Sequence, residues 1–357
     1  MAAVVPTSRP RAIAAGLRFN AVPIALAASA VAALIRLTGP VSGTDHAQDL
    51  RQPSSFTRTF LRQPPTARVT AVTLEGSSHS TCVMALGKTG KLSVGSRESS
   101  RDTAVSLAAC NLYNASREAR STELLDGASL GGRSIFLSGG YVLAPGAVLT
   151  ASHYLTTHTS SVADPYSRLE LPSYRGCKRT RYRVDGKKTE TISPGVYCGG
   201  IEVAGGATLN LDPGTYILDR GDVTVSDNGA VNGTGVTLIL TSHTGSDYGA
   251  VDLHAGSSVT VTAPARGAAA GIPGIAIWVD GDAPSMTDTF DGARNQNING
   301  AIYLPDRQVK YAGGSPSATR CSQLIARAVT FTGTSYFRHD CAGLGISDPD
   351  PPPLLAE

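Results

Sequence analysis

The six cysteines are the side chains whose spacing most directly indicates covalent chemistry. They fall into three local pairs, Cys82 with Cys110, Cys177 with Cys198, and Cys321 with Cys341. None forms the C-x-x-C spacing of zinc sites or of thioredoxin-like redox sites. We therefore expect three disulfides in an oxidising compartment. In the chain-entropy model, each would stabilise the folded state by about 3 kcal/mol. Buried free thiols are the alternative.

Carboxylates are the second group that could do chemistry. Enzymes that cleave polysaccharides use two carboxyl groups several ångströms apart, one as acid and one as base or nucleophile. The candidates lie in one stretch: Asp280, Asp282, Asp288 and Asp291, with Arg294 as a charge partner. Glycines and a proline interrupt the same stretch, and Asp is common in turns because it hydrogen bonds to nearby backbone. An ordinary turn-rich loop is therefore the favoured interpretation, and a catalytic groove the alternative.

The sequence lacks the residue patterns that are typical of metal-binding and nucleotide-binding sites. The histidines His153, His158, His243, His254 and His339 are scattered without ligand spacing. Calcium repeats of the G-G-x-G-x-D type need tandem copies, and the glycine pair in Gly205–Thr208 continues with Ala and Thr instead. The Gly87–Thr89 segment resembles the end of a phosphate-binding loop, but position 82, where the upstream glycine belongs, is Cys. The sequence predicts no cofactor and no obligatory metal.

Short apolar strands separated by Gly, Asn, Asp and Pro must position these residues. The corner glycines Gly206, Gly229 and Gly256 lie 23 and 27 residues apart. Short strands broken at such intervals are typical of a coil whose turns hold roughly three strands each. Stacked turns hide the inward apolar face that one turn alone cannot bury. We predict an all-β fold, a right-handed parallel β-helix (β-solenoid), with a short N-terminal helix.

One long segment interrupts the repeats. Residues 151–188 contain Pro165 and Pro172, and we expect them to form a traverse between two halves of the coil. In the later apolar strand, Trp278 is expected to pack on one face while Ile277 and Val279 pack on the other. A sugar-stacking platform is the alternative role for this tryptophan.

The amino-terminal segment predicts export. Three arginines precede the apolar run from Ala21 to Ile35, which is shorter than the roughly 20 residues of a membrane span. Basic residues before a short apolar run are typical of a secretory signal or a signal anchor. We divide the chain into an N-terminal signal or membrane-anchor helix (1–38), a flexible linker (39–79), the β-solenoid domain (80–347) and a disordered tail (348–357).

The composition indicates thin layers of strands, and the net charge bears on the class of binding partner. The 357 residues include 39 Gly and 21 Pro, with aromatic residues at only 6%, which suits thin layers of strands rather than a bulky core. The net charge of +3 is too balanced to indicate nucleic acid. Basic residues concentrate between Arg168 and Lys188. An anionic partner would explain them, but a solvated loop ahead of the solenoid is favoured.

Several short segments carry a family resemblance. They are ADPYSRL, SPGVYCGGI, GGATLNLDPGTYIL, TGVTLIL, NGAIYLPD, YAGGS and CSQLIARAVTFTGTSYF, all between Thr81 and Gly345. Together they resemble the extracytoplasmic part of TadG-like proteins of tight-adherence (Flp) pilus assembly. The resemblance implies a pilus-assembly or surface protein, anchored in the inner membrane and facing the periplasm, with no catalytic residues to carry over. The short apolar run with Pro23 departs from the longer membrane helix of that family.

These observations lead to one preferred function and two alternatives. The preferred function is a non-catalytic cell-envelope protein, a TadG-like component of Flp pilus assembly acting as an extracytoplasmic scaffold. Its expected partners are other pilus-assembly or envelope proteins, and the inner membrane through the N-terminal helix, with no nucleic acid. It is expected to be anchored in the inner membrane with a periplasmic domain, or exported. The alternatives are a β-helix polysaccharide lyase or hydrolase, and a secreted adhesin.

Overall fold

The computed structural model describes residues 80–95, 103–293, 295–350 and 352, all within one compact unit, Ala67–Glu357. These residues form strands, turns and bends without any helix, so the all-β prediction is confirmed for them. The predicted N-terminal helix (1–38), the linker (39–79), Arg294 and most of the tail lie outside the described residues. No helix in the described part is long and apolar enough to cross a membrane.

The strands are short and numerous, as the spacing of the turn residues predicts. In chain order they are β1 (Thr81–Ala85), β2 (Leu92–Val94), β3 (Ala104–Ala108), β4 (Asn111–Asn114), β5 (Thr122–Leu124), β6 (Ser129–Leu137), β7 (Tyr141–Leu143), β8 (Val148–Thr156), β9 (Arg179–Val184), β10 (Thr189–Ile192), β11 (Gly195–Val203), β12 (Thr208–Leu211), β13 (Gly214–Asp219), β14 (Val223–Val225), β15 (Ala230–Thr234), β16 (Val236–Thr241), β17 (Val251–Leu253), β18 (Ser258–Thr262), β19 (Ile275–Val279), β20 (Thr287–Ala293), β21 (Gln296–Gly313), β22 (Ser322–Phe331) and β23 (Ser335–Arg338).

Parallel pairing between successive turns builds a solenoid-like sheet with three faces. The first part of β11 pairs with β13 and the second part with β14, after which β12 pairs with β15. We name the faces by these strands. The covered face contains β13, β16 and β19, the second face contains β14, β17 and β20, and the third face contains β12, β15 and β18. The prediction of a parallel coil with about three strands a turn is thus confirmed.

Alternation along each strand fills the interior of the coil. On β12, Leu209 and Leu211 are buried while Asn210 between them is partly exposed. Leu209 stacks on Val231 in the next turn, and Val231 stacks on Val259 in the turn after that. All four aliphatic side chains belong to one continuous core. Since each contacts the turns above and below, truncating a buried leucine here costs about 2–5 kcal/mol.

The bends between faces are built from residues that tolerate a positive φ or close backbone approach. Gly206 and Gly256 have φ values of +76° and +84°, whereas near Gly229 the positive φ belongs to Asp227 and Asn228. At another corner a Cβ on Gly200 would lie 2.4 Å from the carbonyl oxygen of Asp222. These corners therefore accept glycine, or Asn and Asp, for steric reasons.

Residues 157–178, which we call the strap, run along the outside of the covered face. Hydrogen bonds join the strap to one turn after another, through Leu137, Gln323, Tyr303, Asp219 and Val196. Beneath it the outward side chains of the covered face form a second apolar cluster, which includes Met84, Phe136, Ile239 and Trp278. The expected traverse between two halves is confirmed for residues 157–178, but the predicted bounds of 151–188 are too wide, because residues 151–156 belong to β8 and residues 179–184 form β9. Trp278 is only 3% exposed and packs here, while Ile277 and Val279 face the interior, as predicted.

The turns do not stack in the order of the sequence. The final turn of the chain, β22 and β23, pairs with the first described turn: β22 with β1 and β2, and β23 with β3. The coil therefore starts at β9, ascends to β23, continues through β1, and ends at β7 and β8. Asp348 reinforces this junction by accepting hydrogen bonds from the Thr81 backbone N–H (2.8 Å) and from Gln323 Nε2 (3.3 Å). The segment predicted as a tail thus begins with an anchored residue.

All three predicted disulfides are present. Cys82–Cys110, Cys177–Cys198 and Cys321–Cys341 have Cα–Cα distances of 5.7, 5.6 and 4.8 Å. The first joins two adjacent turns, because Thr81 of β1 is in register with Asn111 of β4. The second ties the end of the strap to β11. Disulfides of this local kind are typical of proteins in oxidising compartments.

The basic stretch between Arg168 and Lys188 divides between two elements. Its first part belongs to the strap, and its second part contains β9 and the bend to β10. The interpretation of the whole stretch as a loop is therefore wrong for Arg179–Val184, which forms the edge strand of the first turn. Arg183 there forms ion pairs with Asp185 (3.0 Å) and Glu202 (2.9 Å).

Candidate functional site

The predicted carboxylates occupy different environments rather than one groove. Asp282 is exposed, whereas Asp280 and Asp291 are partly buried. Burial raises the pKa of the Asp291 carboxyl, and the neighbouring charge of His254 opposes that rise. Asp288, in contrast, is completely buried. Arg294 lies outside the described residues, so its proposed role as a charge partner is untested.

Asp288 points into the coil and pairs with an arginine that the sequence interpretation missed. Asp288 and Arg307 are each 0% exposed, with Asp288 Oδ2 3.9 Å from Arg307 Nε. The Val251 backbone N–H donates to Asp288 Oδ1 at 2.8 Å, and Arg307 Nη2 donates to the Gly249 carbonyl at 2.6 Å. Both side chains are inaccessible to a polymer at the surface. Their arrangement is that of an internal ion pair, not of a hydrolytic acid.

The interior pair is incompletely satisfied. Asp288 Oδ2 and Arg307 Nε and Nη1 have no hydrogen-bond partner among the described residues. Burial is the main reason that the pKa of Asp288 rises to about 6, with the Val251 N–H and Arg307 opposing the shift. Desolvation therefore outweighs the attraction of a positive charge almost 4 Å away.

The strongest cluster of accessible polar groups surrounds Asp219, at the end of β13. The His243 backbone N–H donates to Asp219 Oδ1 at 2.9 Å, and His243 Nδ1 lies 2.7 Å from Asp219 Oδ2. Tyr174 of the strap donates its hydroxyl to Asp219 Oδ1 at 3.2 Å, and Arg220 Nε lies 3.4 Å from Oδ2. We call these residues, with Thr241 and Asp280, the Asp219 corner.

Strand register explains why these residues meet. Asp219 and Thr241 are aligned partners on β13 and β16. Asp280 follows on the next turn, where it accepts a hydrogen bond from Thr241 Oγ1 at 2.7 Å. The segments TYILD and VTLILT end at the same corner, so aligning these repeats is a signal that could have identified Asp219. Tyr174 had no such signal, because the strap is not a repeat.

The electrostatics of the Asp219 corner favour a carboxylate beside an accessible imidazole. Burial alone would raise the pKa of Asp219, but hydrogen bonds from His243 and Tyr174 outweigh it and lower this pKa. Burial and the adjacent Asp219 raise the pKa of the Tyr174 hydroxyl. The His243 side chain is 52% exposed. Asp219 thus orients the ring through Nδ1 and leaves Nε2 facing outward, where it can hydrogen bond to a polar ligand.

The hydroxyl of the adjacent residue, Ser242, is engaged within its own turn rather than with this imidazole. The neighbouring hydroxyl of Ser242 donates to the Ser246 carbonyl and lies 3.0 Å from Thr244 Oγ1. The Ser242 hydroxyl is therefore committed to its own turn. The corner has the acid–imidazole part of a hydrolytic triad, and its geometry suits hydrogen-bonding recognition more directly than nucleophilic attack.

The remaining histidines have separate surroundings. His254 Nε2 lies 3.0 Å from Asp252 Oδ2 on the second face, and His339 Nε2 lies 3.1 Å from Asp348 Oδ2 at the junction. His153 and His158 are on or near the last turn. Within the described ranges, no group of three or more His, Cys, Asp or Glu side chains is arranged to hold a metal ion.

A ladder of uncharged polar residues crosses the third face. Thr191, Asn210, Asn232, Thr260 and Asn297 are successive register partners on adjacent turns. Parallel strands place such partners about 4.8 Å apart. Asn232 Nδ2 donates to Asn210 Oδ1 at 3.4 Å. Asn297 is buried, but the other four members of this Thr/Asn ladder are exposed or partly exposed. They present regularly spaced hydroxyl and amide groups, a surface suited to contacts with another polymer or protein.

Comparison of the chain with family models, with curated proteins and with solved structures found no match.

Proposed function

We propose that this protein is a non-catalytic scaffold of the cell envelope, located outside the cytoplasm. The supporting observation is a coil fastened at several points by covalent and polar contacts. Disulfides link adjacent turns and tether the strap, and the strap hydrogen bonds to turns along the covered face. Such fastening maintains a fixed surface, which is what a scaffold needs.

The position of the carboxylates supports the same proposal. Asp288, a candidate for acid–base chemistry, forms an interior pair with Arg307 that no polymer can reach. Asp280 is engaged with Thr241 in the Asp219 corner. The two groups thus have structural partners, and the outward surface offers ladders of polar contacts instead.

The proposal extends to the handedness of the coil and to a role in pilus assembly. We infer a right-handed parallel β-helix, because parallel crossover connections are right-handed in about 98% of cases. The segments that resemble TadG-like proteins are the basis for proposing a role in Flp pilus assembly, with other envelope proteins as partners. Anchoring in the inner membrane would involve residues 1–38. The disulfides support an oxidising location.

Cell fractionation and gene deletion test this function. We expect the protein in the envelope fraction with its cysteines oxidised, and loss of pilus fibres on deletion. Amino-terminal sequencing of the mature chain distinguishes a retained anchor from a cleaved signal. Recovery of reduced protein in the cytoplasm, or normal fibres after deletion, would contradict the proposal.

A polysaccharide-cleaving enzyme is the second candidate, and the Asp219 corner is the observation that favours it. Purified protein should be assayed on pectin, alginate and peptidoglycan, alongside Asp219→Asn and the exposed-site control Asp282→Asn. If the protein is a scaffold, neither the unmodified protein nor either variant should turn over any of these substrates. Turnover that Asp219→Asn abolishes and Asp282→Asn preserves would establish the enzyme instead. Glycan binding without turnover would indicate an adhesin.

A further inference from the structure

The two ends of the coil differ in how well their inward side chains are covered. In the last turn, Leu143 of β7 and Leu155 of β8 are 41% and 40% exposed. In the first turn, at the opposite end, Val184 and Ile192 are only 1% and 7% exposed. The interior of the coil is thus closed at the β9–β10 end and open at the β7–β8 end, which we call the open end.

Register confirms that the exposed leucines belong to the interior. Leu143 is the partner of Leu124, and Leu155 is the partner of Ile135. Leu124 and Ile135 are both 0% exposed because another turn lies over them. Leu143 and Leu155 continue the same columns without such a cover, although terminal turns of solenoids normally need a cap.

The backbone edge at the open end is also unpaired. Among the described strands, β7 pairs with β5 alone and β8 with β6 alone. Their outer edges therefore present free N–H and C=O groups. An exposed parallel edge of this kind is a template for pairing with another chain unless charges protect it.

Charge protects only one of the two ends. Residues 141–163 contain no Asp, Glu, Lys or Arg. The first turn is strongly basic instead, through Lys178, Arg179, Arg181, Arg183, Lys187 and Lys188. Basic side chains on an edge strand oppose edge-to-edge association. The open end lacks this protection and adds exposed Tyr141 (39%) to the two leucines.

We propose that the open end binds the open end of a second copy of this chain, forming a two-fold symmetric dimer. The edges of β7 and β8 in one protomer would pair antiparallel with the same edges of its partner, and the exposed leucines would cover each other. A two-fold interface places one surface against itself, so an uncharged surface meets no like-charge penalty.

The distribution of charge also disfavours head-to-tail association, the alternative arrangement of two copies. Head-to-tail stacking would bring the basic first turn against the open end, which offers no carboxylate. Arg183 already pairs with Asp185 and Glu202, but the other arginines and the lysines would lose water without gaining a carboxylate from the open end, a costly arrangement. The association therefore closes at two protomers rather than extending into a filament.

Sedimentation equilibrium of the full-length, oxidised protein tests this proposal. The unmodified chain should be dimeric at micromolar concentration. Leu143→Lys combined with Leu155→Lys should weaken the dimer by about 100-fold or more, because like charges would face each other across the interface. Thr189→Lys, an exposed change on β10 at the opposite end, is the matched control and should leave the dimer intact.

Hydrogen exchange provides an independent measurement on the unmodified chain. Amides of residues 141–143 and 148–156 should gain protection as protein concentration rises, while those of β9 and β10 should not change. If the double variant loses its native Trp278 emission, Tyr141→Lys replaces it, since Tyr141 continues the inward column of Leu92 and Thr122 and is 39% exposed. A monomeric unmodified chain, a dimer that resists the lysines, or equal weakening by Thr189→Lys would each overturn the proposal.

Discussion

The buried pair of Asp288 and Arg307 makes the pH dependence of stability predictable in sign and size. Burial raises the pKa of Asp288 from 3.8 to about 6. The folded state therefore keeps a proton on Asp288 between about pH 4 and pH 6, where the unfolded state has released it. Since the folded state binds more protons in this window, stability falls as pH rises through it.

The magnitude follows from the size of the shift. A change of about two pKa units corresponds to about 3 kcal/mol of stability, fully present below pH 3.8 and lost by the time the pH exceeds about 6. Asp288→Asn has nearly the same shape and no proton to titrate. Any constant effect of the amide cancels when two pH values are compared. The free energy of unfolding of Asp288→Asn, relative to that of the unmodified protein, should therefore rise by about 2.5 kcal/mol between pH 4 and pH 7.

Urea unfolding followed by the emission of Trp278 measures this difference. Trp278 is the single tryptophan and is 3% exposed, so its emission reports loss of packing under the strap. Asp282→Asn, at an exposed position, controls for the loss of a carboxylate and should follow the unmodified protein at each pH. Asp219 and the other titrating groups contribute equally to the pH dependence of stability in all three proteins, so their effect cancels in the comparison.

Two outcomes would refute this reasoning. A constant difference between Asp288→Asn and the unmodified protein from pH 4 to pH 7 would mean that burial does not shift the Asp288 pKa. If the stability of Asp288→Asn relative to the unmodified protein instead fell between pH 4 and pH 7, attraction by Arg307 would exceed desolvation. The pair would then stabilise the ionised carboxylate. The sign of the change thus decides which effect dominates in this interior.

Three further predictions follow from the contacts described above. Replacing Cys82 and Cys110 by Ala should cost about 3–4 kcal/mol, because their disulfide closes a 28-residue separation; an unchanged urea midpoint would contradict this. The lowered pKa of Asp219 stabilises the fold above pH 3.8, and this stabilisation is lost as pH falls through the folded-state pKa. Asp219→Asn should therefore lose stability at pH 7 but little at pH 2, as thermal unfolding at both values would show. Tyr166→Phe removes the hydrogen bond to Gln323 Oε1 and should cost about 1–3 kcal/mol, whereas no change in Tm would show that water replaces it.

The strands and disulfides could be predicted because their signals are local. Each turn needs apolar alternation followed by a residue that bends, and both features lie within a few residues of each other. Partners in a disulfide between adjacent turns are separated by about the length of one turn. Cys82 with Cys110 shows this, since the register places Thr81 beside Asn111. These predictions needed no knowledge of how distant turns stack.

The order of the turns could not be predicted in the same way. Pairing of β22 with β1 aligns Leu324 with Val83 and Ile325 with Met84. Any two turns with the same alternation could form such a ladder, so the sequence carries no mark that selects this pair. The long segment before Lys188 indicates a traverse, but its direction along the coil follows only from contacts such as Tyr174 with Asp219.

The candidate site shows a related limit. The glycines and the proline near Asp288 favour a turn-rich loop, yet Asp288 faces inward on β20. Asp288 lies two residues before Phe290, and residues two apart on a strand face the same side, so the sequence does indicate that Asp288 points inward. Arg307 lies two residues before Val309 and four before Tyr311, which indicates the same orientation for Arg307. An inward charged residue conflicts with the usual apolar pattern, so local turn signals prevailed in the sequence interpretation.

The permuted stacking also explains why only one end of the coil is left open. A coil made of two separate halves would have four ends, each exposing an inward apolar face. Pairing of β22 with β1 removes two of them, covering Leu324 with Val83, and the basic first turn closes a third. The open end is the remaining face, and its uncharged sequence distinguishes it from the protected one. A structure that covers apolar surface at every other end leaves this one exposed where a partner can cover it, which is why we place the interface there.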